Sequence, residues 1–376
     1  MNEAGPPPAD AGPPSPGARR RLILLLRWVV VAIAVLVFVR VVQHADFDHA
    51  WSLLKRLGWP VAFVALPTLF AMMLDATGWR AILSTLGRPV SWHRLLGLRL
   101  TVEALVLALP GGSVAGEAAK VALLRRSNVP LPEGAASLAL TKLLLLATDA
   151  SYLALAGTWL LVAIAGGLQA SWTVALLCFG GAALTAVAAT ALRLVLGRSS
   201  AATTLVQRLS ALPIRVLACW FQRWRAQAEA MDSATRRYFA APPSARLAAI
   251  APFALEWLCE GLETVLIFYC LGVPIGFGQA LTVDALGSLL RVLVFFVPAG
   301  LGIQDAAQVM LLASLGIPDP VATGTAFVVV KRTKEIFWIA IGLLLLAGRR
   351  VSWLRAALTD RRNLVPMGSQ ERNAAC

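Results

Sequence analysis

Three carboxylates, Glu256, Glu260 and Glu263, recur at i, i+4 and i+7 inside the apolar run 247–271, so they share one face of a helix. Ionisable groups are expensive inside a membrane span and mark a bundle interior, a pathway or a pocket. A row of acids there suits the binding of coupling protons. Asp284 and Arg291, seven residues apart, also share a face and are placed to pair. Positive charge gathers in the run 321–347, where Lys331, Arg332 and Lys334 fall within one and a half turns with only Glu335 beside them. An anion such as a lipid phosphate would balance that excess, and the donor fork of arginine matches phosphate oxygens. Lys142 and Asp149 stand in the run 135–165 of the first half.

Other chemistries find no residues to carry them. The cysteines Cys178, Cys219, Cys259, Cys270 and Cys376 make no CxxC, and His44, His49 and His93 have no metal-ligand spacing. No Ser/His/Asp arrangement stands out. The expectation is therefore of no metal, no cofactor and no catalytic residue.

These charges sit in a chain of 376 residues that is 58% hydrophobic and 14% charged, with a mean hydropathy of +0.73. Soluble domains average about 45–50% apolar and about 25% charged residues, which excludes a water-soluble fold. A span needs about 20 apolar residues, and the sequence supplies such runs repeatedly, so the fold class is an all-α polytopic membrane protein. The net charge of +14 is mostly arginine at the ends of apolar segments. That pattern fits cytoplasmic positive charge and anionic headgroups rather than nucleic acid.

Residues 1–18 read as a disordered, Pro-rich cytoplasmic tail. Apolar runs at 21–42, 59–79, 135–165, 172–196, 247–271 and 321–347 give about six full spans, with each basic cluster on one side and both termini cytoplasmic. Two further stretches, 95–126 and 280–316, are broken midway by Pro110-Gly111-Gly112 and Pro298-Ala299-Gly300. Proline interrupts a helix, and each half is short for a crossing, so both read as re-entrant hairpins. Residues 110–132 and 298–320 align without a gap. They share prolines and glycine in register, with Glu117 opposite Asp305 and Lys120 opposite Gln308. Upstream, Leu86-Gly87-Arg88-Pro89 matches Leu271-Gly272-Val273-Pro274, and Asp75 and Glu260 stand equally far before those glycines. The expected organisation is two inverted repeats. Residues 19–166 form the first, 167–197 and 247–348 the second, an amphipathic Arg-rich cytoplasmic linker spans 198–246, and 349–376 is a cytoplasmic tail. Inverted repeats with broken helices characterise secondary transporters. Glu117 and Asp305, in the first turns after the breaks, are also placed to cap those helices.

The segments LPGGSVAGEAAKVALLRRSNVP, LDATGWR and VEAL, with FFVPAGLGIQDA and VVVKRTKEIFWIAIGLL, resemble the flippase-like membrane region of lysylphosphatidylglycerol synthases. Within that family they are most similar to the stand-alone branch associated with hopanoid biosynthesis. The resemblance implies a bacterial inner-membrane protein that moves a lipid between leaflets: an anionic phospholipid, an aminoacyl-phospholipid or an isoprenoid or hopanoid lipid. By family position it carries over Arg125, Lys331 and Arg332. With Lys142, which together with Asp149 only loosely matches the family's Arg-plus-Asp pattern, these are the expected headgroup cations. The hairpins and their hinges fall to Pro110, Gly111, Gly112, Gly116, Glu117, Pro298, Gly300, Gly302 and Asp305. Glu256, Glu260, Glu263, Asp284 and Glu335 are the intramembrane acids. The chain departs from the family where Gly116-Glu117-Ala118-Ala119 ends in Lys120 instead of arginine, and where the later hairpin has Asp305 instead of glutamate.

Lysyl transfer belongs in this family to a soluble C-terminal domain, and about 27 residues follow Gly348-Arg349, so the expectation is a protein that is not an enzyme. Its partners would be membrane lipids and lipid- or hopanoid-biosynthesis enzymes. Two other readings stay open: a scaffold recruiting such enzymes through the Arg-rich linker, and a membrane-embedded lipid transferase.

Overall fold

The computed structural model describes residues 58–108, 112–198, 200–210, 224–293 and 303–348, and every regular element among them is helical. After a two-turn 3-10 segment, Trp59–Val64, the helices are α1 (Ala65–Thr85), α2 (Trp92–Ala108), α3 (Gly112–Leu124) and α4 (Leu131–Ala165). They continue with α5 (Trp172–Gly197), α6 (Ala201–Ser210), α7 (Arg225–Ala240) and α8 (Pro243–Cys270). The last three are α9 (Phe277–Leu293), α10 (Ile303–Ser314) and α11 (Pro320–Gly348). The N-terminal tail, the run 21–42, the Pro-Gly breaks, residues 211–223 of the linker and the tail 349–376 lie outside the described residues.

Among the described residues three helical segments are long and apolar enough to cross a membrane: Ala62–Thr85, Leu131–Ala165 and Trp172–Gly197. The helix expected over 59–79 lies further along the chain. Arg80 ends the apolar run without ending the helix, which continues until Gly87 can close it. At Gly87 (φ 74°) the Arg88 N–H reaches the Leu83 carbonyl at 2.9 Å, and at Gly272 (φ 70°) Val273 reaches Phe268 at 3.1 Å. Both are left-handed C-terminal closures in which the absent Cβ removes the steric cost. The next closures also fall at aligned positions. Val129 N–H meets the Leu124 carbonyl past Asn128 (φ 57°), and Ile317 meets Leu312 past Gly316 (φ 69°).

Packing follows a paired scheme. α1 lies along α8, α2 packs on α11, and α9 packs on α4. Exchanging α1–α4 with α8–α11 in order maps α1–α8 onto itself and α2–α11 onto α9–α4, as it does α2–α3 onto α9–α10 and α3–α4 onto α10–α11. Close approach depends on small residues. At Gly342 an added Cβ would sit 2.6 Å from Ala104 Cβ and 2.8 Å from the Leu100 carbonyl oxygen of α2. At Gly78 it would meet Phe253 of α8 at 2.7 Å. Leu153, Phe268 and Phe327 fill one core cluster, Leu140 and Phe253 a second, and Trp79, Leu95 and Leu124 a third. Val162, Leu176, Val187 and Leu344 are exposed, as apolar side chains facing lipid would be.

The described part of the linker folds onto the bundle. α7 packs on α4 and α6, with Ala234 and Tyr238 buried in the second cluster. Asp232 of α7 accepts the N–H groups of Ala202 and Thr203 at 2.8 and 3.0 Å, capping α6 from outside, and the Thr203 hydroxyl donates to it at 2.7 Å.

Candidate functional site

The acids and bases of the apolar helices meet inside the bundle. α11 presents its cations around its circumference, because successive residues of a helix turn about 100°, and each reaches a different partner. Lys334 Nζ lies 2.5 Å from Oε1 of Glu263 on α8, a fully buried carboxylate that also accepts the hydroxyl of Thr68 on α1. Lys331 Nζ lies 3.4 Å from Oδ1 of Asp284 on α9 and 5.1 Å from the Phe327 ring centroid. Arg332 pairs with Glu335 of its own helix at 2.7 Å.

The sequence-level expectation of an unbalanced cation cluster is therefore corrected: carboxylates distant in sequence are brought to it. Asp284 is engaged by Lys331 and by the Tyr152 hydroxyl, which donates to Oδ2 at 3.3 Å. The Arg291 side chain lies outside the described residues. Asp149 accepts the Ser288 hydroxyl at 3.0 Å, tying α4 to α9. Tyr152 stacks on Trp257 of α8, whose indole N–H donates to Thr148 at 3.1 Å.

A second group of charges gathers on α1 to α4, with Glu256 of α8. Arg99 Nε lies 2.5 Å from Asp75 Oδ2 and also bonds Glu103 one turn on. Neither Arg99 nor Glu103 was singled out as a site residue, although an Arg and a Glu at i and i+4 in an apolar run are a readable signal. Glu256 of α8 faces Asp75 and Arg99, and its Oε2 is buried with no hydrogen-bond partner among the described residues. On α3, Glu117 bridges Lys142 of α4 at 2.8 Å and Lys120 at 3.4 Å, while its Oε2 is buried and unmatched among the described residues. Lys120 also lies 5.8 Å from the Trp79 ring centroid. The Lys142 side chain is 47% exposed, against 12% for Lys331 and 15% for Arg332, so it is the most accessible of the expected headgroup cations on the membrane helices.

The remaining expected residues are dispersed. Arg125 is exposed in the turn after α3. Gly112 opens α3, and Gly116 lets α3 approach α2, an added Cβ there meeting Val106 at 2.5 Å. Glu260 shares α8 with Glu256 and Glu263. Asp305 lies on α10, and its side chain, like Pro110, Gly111, Pro298, Gly300 and Gly302, is outside the described residues. Within the described interior the acids Asp75, Glu103, Glu117, Asp149, Glu256, Glu260, Glu263, Asp284 and Glu335 outnumber the cations Arg99, Lys120, Lys142, Lys331, Arg332 and Lys334. No group of three His, Cys, Asp or Glu among the described residues has a metal-holding arrangement.

No curated protein and no solved structure matches the chain. The family model described as the lysylphosphatidylglycerol synthase TM region matches residues 26–333, and so takes in both groups of paired charges up to Arg332. On that match the chain belongs to the lysylphosphatidylglycerol synthase TM region family, membrane proteins related to lipid modification or transport.

Proposed function

We propose that this protein moves a lipid between leaflets, the headgroup passing between two inverted repeats made of α1–α4 and α8–α11. The observation that carries this reading is the half-satisfied bridge at Glu117. A hairpin-side carboxylate holds Lys142 and Lys120 with one oxygen and keeps the other buried and unmatched, while Lys142 stays partly open. A headgroup phosphate exchanges for Glu117 on Lys142, releasing the carboxylate to take a proton or a headgroup amine. The exchange symmetry of the helix contacts and the two pairs of aligned helix closures support the repeats. Short elements such as α3, at 13 residues about 20 Å long, support re-entrant hairpins. In the same reading Lys331 and Arg332 serve the headgroup in the second half by releasing Asp284 and Glu335. The protein changes where a lipid lies and not its covalent structure. It resides in a bacterial inner membrane with both termini cytoplasmic.

The test is lipid movement in proteoliposomes. Fluorescent phosphatidylglycerol of the inner leaflet is scored by its delayed loss of signal to an impermeant reductant, for wild type, Lys142→Ala and Lys331→Ala/Arg332→Ala. Both variants should slow movement to that of protein-free vesicles while eluting as wild type on gel filtration. Wild-type rates in both would overturn the assignment of these cations.

A further inference from the structure

We propose a second lipid site, separate from the paired charges of the interior: an anionic phospholipid bound where α5 ends and α8 begins. Arg193, Leu194, Gly197, Arg198, Phe239 and Arg246 line a cavity of about 500 Å³ there. Three arginines thus converge from the C-terminal part of α5, the residue that follows it and the first turn of α8. No carboxylate among the described residues pairs with any of them, and Nε of Arg246 is buried without a hydrogen-bond partner. Uncompensated like charges repel, and a buried guanidinium donor left unmet is costly. Helix geometry accounts for one of the three: Arg198, at the C-terminus of α5, complements its dipole, whereas Arg193 lies before the last turn. It does not account for Arg246, because the N-terminal end of a helix favours an anion. A phosphate between the three meets every requirement, with charge, donors that match its oxygens, and the positive end of α8.

The surroundings commit the occupant to lipid. Leu194, beside the cavity, is 62% exposed, and Val187 and Val195 continue an uncovered apolar surface along α5 toward the body of the bundle. A headgroup phosphate seated among the arginines leaves its acyl chains lying on that surface, an arrangement that free phosphate has no use for. Basic pockets at the ends of membrane helices hold anionic headgroups in this way. The bound lipid joins α5 and α8, which flank the linker, to α7 within it.

Native mass spectrometry of the full-length protein, purified in mild detergent and titrated with phosphatidylglycerol or phosphatidylcholine, tests the proposal. Wild type should retain phosphatidylglycerol preferentially. Arg246→Gln and the pair Arg193→Gln/Arg198→Gln should each weaken that retention by about tenfold or more, the worth of a lost charge-assisted bond. Arg225→Gln, which breaks an exposed pair with Glu229, should leave it unchanged. Arg193 and Arg198 are exposed and unpaired, so their replacement leaves folding intact, and gel filtration verifies this. Equal retention by all variants, or no preference for phosphatidylglycerol in wild type, would overturn the site. Displacement of the lipid by millimolar inorganic phosphate would overturn its assignment to a lipid in favour of a free anion. Because the readout is binding and not translocation, failure here leaves the transport reading untouched, and the reverse also holds.

Discussion

Replacing Lys334 with methionine tests whether the bundle is held by a buried charge pair. Lys334 Nζ lies 2.5 Å from Glu263, the carboxylate is 0% exposed, and Thr68 supplies its other hydrogen bond. At an effective dielectric constant near 20 a unit-charge contact at 4 Å is already worth about 4 kcal/mol, and this one is shorter. Removing a single partner strands a charge in the interior, so Lys334→Met should cost about 3–5 kcal/mol. Glu263→Gln/Lys334→Met removes both charges, while the glutamine carbonyl oxygen still accepts from Thr68. It should recover most of the loss, giving a coupling of about 2 kcal/mol or more. Equilibrium unfolding of the purified protein in mixed micelles, followed by tryptophan fluorescence, measures all four corners of the cycle. A cost below about 1 kcal/mol for Lys334→Met, the range of exposed pairs, would refute the reasoning. So would a double variant as unstable as the two single variants added together.

Gly342→Ala should destabilise by about 1–3 kcal/mol in the same assay, because its Cβ would press on the α2 backbone, whereas Gly180→Ala, with open space around it, should not destabilise. Asp232→Ala should cost about 1 kcal/mol locally, seen as faster amide exchange over 201–210 with the long helices unaffected. Glu133 of α4 accepts from Arg88 at 3.1 Å and lies 3.8 Å from Arg237 of α7, so Glu133→Gln should loosen α7. Limited proteolysis between α6 and α7 should then quicken, with little change in global stability.

Composition and the apolar runs made the helical class and the approximate ends of α4, α5, α8 and α11 legible in the sequence. Apolar runs are local properties, readable without the fold. The charge partners were not. Glu263 and Lys334 are 71 residues apart and Tyr152 and Asp284 are 132 apart. The excess positive charge read beside Lys331 existed only along the chain and disappears once Glu263 of α8 and Asp284 of α9 reach the lysines of α11. Arg99 escaped notice for the opposite reason: its acid Glu103 is local, but its importance comes from Asp75 and Glu256 on other helices. Spacing could place Glu256, Glu260 and Glu263 on one face. It could not tell that Glu263 is bound on both oxygens while Glu256 has one oxygen unmet.

The pairing of α8 with α11 also governs how the chain enters its membrane during synthesis. Neither helix is among the segments apolar enough to cross alone, since one carries three glutamates and the other Lys331, Arg332, Lys334 and Glu335. Each such residue near a helix centre opposes insertion by the translocon by roughly 2.5–3.5 kcal/mol. The glutamates of α8 emerge from the ribosome first and must wait for a cation made 71 residues later. On the reading that both helices span the membrane, insertion of α8 should therefore be a joint, late event with that of α11. A nascent chain arrested before Lys334 should stay extractable at α8, and release of α11 should make both helices resistant to extraction together.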